Sequence, residues 1–154
     1  MNDNIIIRIA NENDIAAIVE FNQRMAMETE DVELKTETIR PGVEGLFQNK
    51  QYGFYVMAED ANTNTAAGCL LITYEWSDWR NGLIWWIQSV YVTFDYRRRG
   101  IYRRLYDFVK EKADEEGNVR GFRLYVEKEN TIAQKTYSKL GMNESHYLMF
   151  EELL

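Results

Sequence analysis

Apolar positions fall along the chain in two rhythms, and the places where one gives way to the other outline the elements. Ile5 to Ile9 is a short apolar run, which predicts a buried strand. Asn11, with Asp14 three residues on, reads as a helix start. Ile15, Ile18, Val19 and Asn22 then recur at helical spacing, predicting a first helix that ends near Met27. The pattern lapses over an acidic stretch, Glu28, Glu30, Asp31, Glu33 and Glu37. A weaker second helix is predicted from Val43 to Asn49, after Pro41-Gly42 breaks the chain.

From Tyr52 the period becomes strand-like. Tyr52 to Glu59, Ala67 to Trp76 and Leu83 to Thr93 are rich in aromatic and β-branched residues. The turn-rich segments DANTNT and SDWRNG separate them, which predicts an antiparallel meander. Ile101, Leu105, Phe108, Val109 and Lys112 mark a long amphipathic helix stopping at Gly117. Phe122 to Val126 reads as a further strand. Asn130 is placed to cap a helix that carries Ala133, Tyr137 and Leu140 on one face and closes at Gly141. Met142 to Glu151 reads as one or two final strands. The order β-α-α-β-β-β-α-β-α-β predicts an α/β (α+β) fold, with helices on the faces of a mixed, mostly antiparallel sheet.

Composition narrows the possible functions. A chain of 154 residues is the size of one domain, and 45% apolar residues with a single proline exclude disorder. No apolar run approaches the roughly 20 residues a membrane span needs, and the opening MNDNIIIRIANEND does not read as a signal peptide. One cysteine (Cys69) and one histidine (His146) exclude an internal disulfide framework and a His/Cys zinc site, and no metal is expected. A Ser-His-Asp relay would have to use His146. The lone cysteine points to the cytoplasm. A formal charge of −7 argues against nucleic acid as a partner and favours a cationic small molecule.

The most informative segment is Val90-Tyr-Val-Thr-Phe-Asp-Tyr-Arg-Arg-Arg-Gly-Ile-Tyr102, where a strand ends, a tight turn follows and a helix begins. A helix start offers unpaired N–H groups and a partial positive charge. Gly100 lets the backbone come close to an anion, and Arg97, Arg98, Arg99, Arg103 and Arg104 concentrate cations in an otherwise acidic chain. The segment reads either as a solvated basic helix start or as a pyrophosphate site for a nucleotide-like cofactor.

Arg97-Arg98-Arg99-Gly100-Ile101-Tyr102 resembles the Q/R-x-x-G-x-G/A loop of the GCN5-related N-acetyltransferase (GNAT) superfamily, with Tyr102 where Gly or Ala is usual. Asn130 to Met142 resembles that family's second motif, N-x-x-A-x-x-x-Y-x-x-x-G-F, with Met142 in place of Phe. The resemblance covers nearly the whole chain and implies one GNAT domain over residues 1–154. It implies acetyl-CoA as cofactor, held by Val90, Tyr91, Val92, Arg97, Arg98, Arg99, Gly100, Ile101, Tyr102, Arg103 and Asn130. The strand ending at Val92 would present backbone groups to the pantetheine and a backbone N–H to the thioester carbonyl. The strand after the long helix would splay away and open a cleft. Tyr137, which shares a helix face with core positions, would be the general acid that protonates the leaving thiolate.

Thr73 to Gly82, followed by Trp85 to Val92, resembles the diamine (spermidine/spermine) acetyltransferase branch, implying a small di- or polyamine acceptor. Glu28, Glu30, Asp31, Trp79 and Gln88 are the candidate acceptor residues, although an acidic run also suits a plain solvated loop. Many relatives carry Glu where this chain has Gln88, and an amide has no basic form. That leaves a water chain ordered by Gln88 and Ser89, a carboxylate such as Glu28, Glu75 or Asp78, or no dedicated base. Cys69 lies on a strand remote in sequence from both motifs, so direct attack by the amine is expected. A protein amine acetyltransferase and a non-catalytic acyl-CoA sensor are the alternatives. Analogy with the family makes a homodimer the expected assembly.

Overall fold

The computed structural model describes residues 4–154; the first three residues of the opening stretch lie outside it. Strand β1 is Ile5–Ile9, where the apolar run predicts it, but only Ile5 is buried and Ile6 and Ile9 are exposed. Asn11 Oδ1 accepts from the Asn13 N–H at 2.9 Å and the Asp14 carboxylate accepts from the Asn11 N–H at 2.8 Å, so the helix start is capped in both directions. Helix α1, Ile15–Glu30, follows and runs a turn further than the periodicity indicates. Asp14 also takes two bonds from Arg8, at 2.7 and 2.8 Å, while Arg8 reaches Glu59 at 2.6 Å. Burial alone would raise the Asp14 carboxyl; the hydrogen bonds from Arg8 and the Asn11 backbone outweigh it and hold the group below its usual range.

Helix α2 spans Thr36–Gln48 and contains Pro41, which the sequence reading placed before the helix as a breaker. Proline removes the N–H that would bond the carbonyl four residues back. The compensation is burial: Ile39, Val43, Leu46 and Phe47 form one apolar stripe that begins before the proline and packs on the core. Tertiary burial outweighs the loss of one hydrogen bond, so the helix runs through.

Strands β2 (Gly53–Asp60), β3 (Thr65–Ser77) and β4 (Gly82–Val92) form the expected antiparallel meander, and β1 pairs antiparallel with β2. Helix α3, Ile101–Glu116, returns the chain so that β5, Val119–Arg123, pairs parallel with β4, giving the sheet order β1-β2-β3-β4-β5. Strand β5 begins three residues earlier than the aromatic pattern suggests. The Arg120 guanidinium donates to the carbonyls of Arg80, Asn81 and Gly117, and Leu83 N–H bonds Asn118 O at 2.9 Å, which fixes that register. One sheet face packs Tyr55, Met57, Cys69 and Tyr91 against Ile18, Phe21 and Val43 of α1 and α2. The other face meets α3, whose Ile101, Leu105 and Val109 are fully buried.

The backbone divides into two compact units, one ending at Leu124 and one covering Tyr125–Leu154. In the second, Asn130 caps helix α4, Thr131–Lys139, by accepting from the Ala133 N–H at 3.1 Å, and Gly141 follows with φ 94°. The strands expected over Met142–Glu151 do not form: no helix or strand is assigned from residue 142 to 154. Tyr147, Leu148, Met149 and Phe150 are four consecutive apolar residues without alternation, and all are exposed. A strand needs a paired ladder and a buried face, and this segment has neither among the described residues.

Candidate active site

Strand β4 carries the irregularity on which the site is built. Leu71 pairs with Gln88 and Cys69 with Tyr91, so three steps on β4 oppose two on β3. This is a bulge at Ser89 and Val90, and Ser89 sits in left-handed backbone at φ 49°. In a regular strand, residues three apart face opposite sides. The bulge instead places Gln88 and Tyr91 both on the α1–α2 face. Sequence reasoning missed Ser89 as a shaping residue; its signal is the loss of period-two phase between Ile87 and Tyr91.

Strand β5 ends its pairing at Arg123, opposite Trp86. Within the first unit, Ile87 to Val92 therefore has no partner on that edge, and the two strands part where the bulge begins. The strand expected over Phe122–Val126 therefore stops at Arg123, and its pairing with β4 stops there too. Beyond Val92, a 3-10 turn at Phe94–Tyr96 leads into the basic segment and α3. Arg98 (φ 62°) and Gly100 (φ 71°) are both left-handed and bracket Arg99, a turn geometry that gathers backbone N–H groups around a concavity. A Cβ added at Gly100 would meet nothing within 4 Å, so the surface above it is open. The Tyr102 hydroxyl is buried, so the bulky residue in the Gly/Ala position does not project over the turn.

The arginines divide by task. Arg98 and Arg103 are exposed, Arg103 facing Asp107 at 3.9 Å, and Arg99 stacks over Tyr96 at 5.1 Å. Arg104 donates to Ile5 O and ties α3 to β1. Arg97 turns inward: its Nε donates to Val92 O at 2.9 Å and its Nη2 to Glu28 Oε2 at 2.7 Å. The other oxygen of Glu28 accepts from Tyr91 O–H at 2.9 Å. Burial alone would raise the Glu28 carboxyl; the bonds from Arg97 and Tyr91 prevail and hold it below its ordinary value. Burial first, and then the bond to Glu28, push the Tyr91 phenol up.

On the same sheet face, Gln88 Nε2 donates to Thr73 Oγ1. Glu75 accepts from Trp86 Nε1 at 2.9 Å and from Arg123 Nη1 at 2.6 Å. Asp78 accepts from the Trp79 N–H at 2.9 Å in the hairpin turn. The three carboxylates named as candidate bases are thus all engaged. Trp79 is 88% exposed at the end of β4 opposite Val92, and is not brought to Glu28 or the turn. Glu30 and Asp31 are exposed at the end of α1, and a cavity of about 490 Å³ lined by Gln23, Glu33, Leu34, Lys35, Thr36 and Glu37 opens just beyond them. Cys69, remote in sequence, lies beside the bulge, its Sγ donating to Ser89 O at 3.7 Å. Burial pushes its thiol up to about 12, which leaves almost no thiolate at neutral pH. In the second unit, burial also pushes the Tyr137 phenol up, and Asn130 serves as the cap of α4. Among the described residues no group of three His, Cys, Asp or Glu is placed to hold a metal, and no helix is long and apolar enough to cross a membrane.

Residues 11–142 match the Acetyltransferase (GNAT) family. The crystal structure of a possible acetyltransferase from Clostridium difficile 630 is 42% identical, covers 97% of each chain and superposes with a TM-score of 0.90. Two less similar structures share the fold. A predicted acetyltransferase with acetyl-CoA from Clostridium acetobutylicum is 21% identical over 96% of each chain, with a TM-score of 0.76. Glucosamine-6-phosphate N-acetyltransferase from Arabidopsis thaliana is 17% identical over 96% of this chain and 97% of its own, with a TM-score of 0.72. No curated protein matches significantly. With this match spanning the bulged strand, the basic turn and α4, the chain belongs to the acetyltransferase (GNAT) family and is an acyltransferase whose cofactor is acetyl-CoA.

Proposed function

We propose that the chain acts as a single N-acetyltransferase domain that acetylates a small di- or polyamine in the cytoplasm, as a homodimer. The observation that carries the acceptor class is the position of the acidic segment. Glu28 is bonded to Arg97 and Tyr91, which seats the end of α1 against the end of β4, and the exposed carboxylates of Glu30, Asp31 and Glu33 follow directly. Negative charge at that place attracts cations. The glucosamine-6-phosphate enzyme of similar fold also works on an amine. The exposed apolar residues Tyr147 to Phe150 offer surface for a second copy.

The residues present suit acetyl-CoA. The open space over Gly100, the N–H groups at the start of a sixteen-residue helix, and the exposed Arg98 and Arg103 match a pyrophosphate. The Clostridium acetobutylicum neighbour of the same fold has acetyl-CoA in its structure. When bound, acetyl-CoA supplies the activated acetyl group. The chain's own contributions are positional and electrostatic. Ile101 and Tyr102 begin the helix whose N–H groups face the anion, and the uncovered edge of Val90 to Val92 orients an extended amide-bearing arm. A backbone N–H at the bulge would serve as the donor to the thioester carbonyl, where negative charge would develop. Tyr137 is the residue proposed to hold a proton for the leaving thiolate: burial pushes its phenol up, so the group carries its proton at neutral pH. Asn130 caps α4, and the resemblance would add a hydrogen bond to the pantetheine arm.

The decisive test is release of free thiol from acetyl-CoA against a panel of diamines, polyamines, amino acids and peptides. Fastest turnover with a diamine or polyamine is expected. Preference for a lysine peptide or for an anionic amine such as glutamate overturns the acceptor assignment. Binding of acetyl-CoA without turnover on any amine would make the protein a sensor.

A further inference from the structure

The geometry points to Glu28 as a positioning residue for the cofactor turn, acting through Arg97 and Tyr91, rather than as an acceptor ligand or a base. This rests on the reading of residues 97–101 as the pyrophosphate turn. Glu28 lies in the last turn of α1, and its two oxygens are shared between Tyr91, the last buried residue of β4, and Arg97, the first residue of the basic turn. Arg97 closes the circuit by donating to Val92 O, and its guanidinium lies 5.5 Å from the Tyr91 ring centre and 5.9 Å from that of Phe94. Tyr91 is anchored in turn against Phe21 of α1, ring centres 5.3 Å apart.

Three elements therefore meet at one carboxylate: the helix leading into the acidic segment, the end of the bulged strand, and the turn that carries Gly100. The turn contains two left-handed residues, of which Arg98 is not glycine, so its conformation is held by its surroundings and not by local preference. The Glu28–Arg97 pair is a charged contact at its base. Arg97 neutralises Glu28 instead of facing the cofactor, and the phosphate-binding charge falls to Arg98 and Arg103. One consequence is coupling: whatever engages the acidic segment after α1 acts on a helix whose last turn holds the cofactor turn in shape.

The test is calorimetric titration of coenzyme A into wild type, Glu28→Gln, Arg97→Gln, the double variant and Tyr91→Phe, with KM and kcat for acetyl-CoA measured on each. Glu28→Gln keeps an acceptor oxygen for Tyr91 and loses the ion pair. We expect its dissociation constant for coenzyme A to rise about fivefold, the upper reach of a half-exposed ion pair. The rise in KM for acetyl-CoA exceeds the fall in kcat, and the double variant is no worse than Arg97→Gln alone, because both changes break the same contact. Tyr91→Phe, which removes one bond and no charge, shows a smaller rise of the same kind. Wild-type affinity in a folded Glu28→Gln variant, or additive losses in the double variant, overturns the inference. So does a loss in kcat that erases the pH dependence with cofactor affinity intact, since that marks a proton acceptor. Failure of the wild type itself to bind coenzyme A would instead remove the assignment of the turn.

Discussion

Two glycines flank α3 in nearly the same strained backbone, and only one faces the proposed phosphate site. Gly100 sits at φ 71° and Gly117 at φ 77°, and a Cβ at either would meet nothing within 4 Å. Replacing either by alanine therefore adds no clash and costs only left-handed strain, about 1–2 kcal/mol. For a chain of this size that lowers the melting temperature by roughly 2–8 °C. The two variants should thus lose similar stability. They part in cofactor affinity, because the new methyl at Gly100 fills the space that the pyrophosphate needs. Loss of one hydrogen bond to a charged group, about 1.5–3 kcal/mol, weakens coenzyme A binding roughly tenfold to a hundredfold. Calorimetric titration together with a thermal scan of both variants reads the two effects separately. Gly100→Val, larger and β-branched, abolishes binding. If Gly100→Ala binds coenzyme A as tightly as Gly117→Ala, the turn is not the phosphate site.

Tyr137→Phe lowers kcat by about a hundredfold or more, the usual worth of a general acid, and leaves acetyl-CoA affinity nearly intact; unchanged kcat returns the residue to a packing role. The rate climbs with pH toward the amine's own pKa, near 10.4 for an unperturbed alkylammonium. Burial pushes the Tyr137 phenol up, so its own titration moves away from neutral pH. Gln88→Glu stays active and moves the rising limb to lower pH. A wild-type profile flat above neutrality would refute this, and alanine at Glu28, Glu75 and Asp78 in turn would then find the carboxylate responsible.

The elements legible in the sequence are those with a strong period or an unambiguous cap. Asn11 and Asp14, the meander from Tyr52, and α3 between Gly100 and Gly117 stand where the pattern put them. Errors arise where a tertiary term overrides a local one. Pro41 is carried inside α2 by the burial of Ile39 and Val43, and β5 starts at Val119 because Arg120 binds the preceding hairpin. The segment after Gly141 is apolar enough for a strand but has no ladder to join. At the site, the basic turn and its glycine announce themselves through charge and residue type. The pairing of Glu28 with Arg97, 69 positions apart, leaves no periodic trace. The same holds for Cys69 beside Ser89 and for Glu75 between Trp86 and Arg123.

The charge of the chain and the identity of Gln88 pull in opposite directions on a single amine, and that tension separates diamines from monoamines. A carboxylate near an ammonium favours the charged form, so attraction worth tenfold in binding also costs tenfold in the neutral fraction that can attack. A monoamine gains nothing net from such a field. Two of the candidate carboxylates do not relieve this: Glu75 is spent on Trp86 and Arg123, and Glu28, held below its ordinary value, is a weaker base than a free side chain. A diamine escapes the conflict if the exposed acidic segment holds one ammonium while the other nitrogen sits beside the neutral amide of Gln88. We therefore predict that kcat/KM for an α,ω-diamine exceeds that for the monoamine of equal length by up to about fivefold, the effect of one exposed ion pair of about 1 kcal/mol. The advantage resides in KM, shrinks as salt screens the exposed carboxylates, and falls when Glu30, Asp31 and Glu33 are changed together to Gln, Asn and Gln. Free-thiol release measured over a series of alkyl monoamines and diamines at two ionic strengths makes the comparison. Equal kcat/KM for the two series, or an advantage indifferent to salt, would refute the distal-ammonium argument.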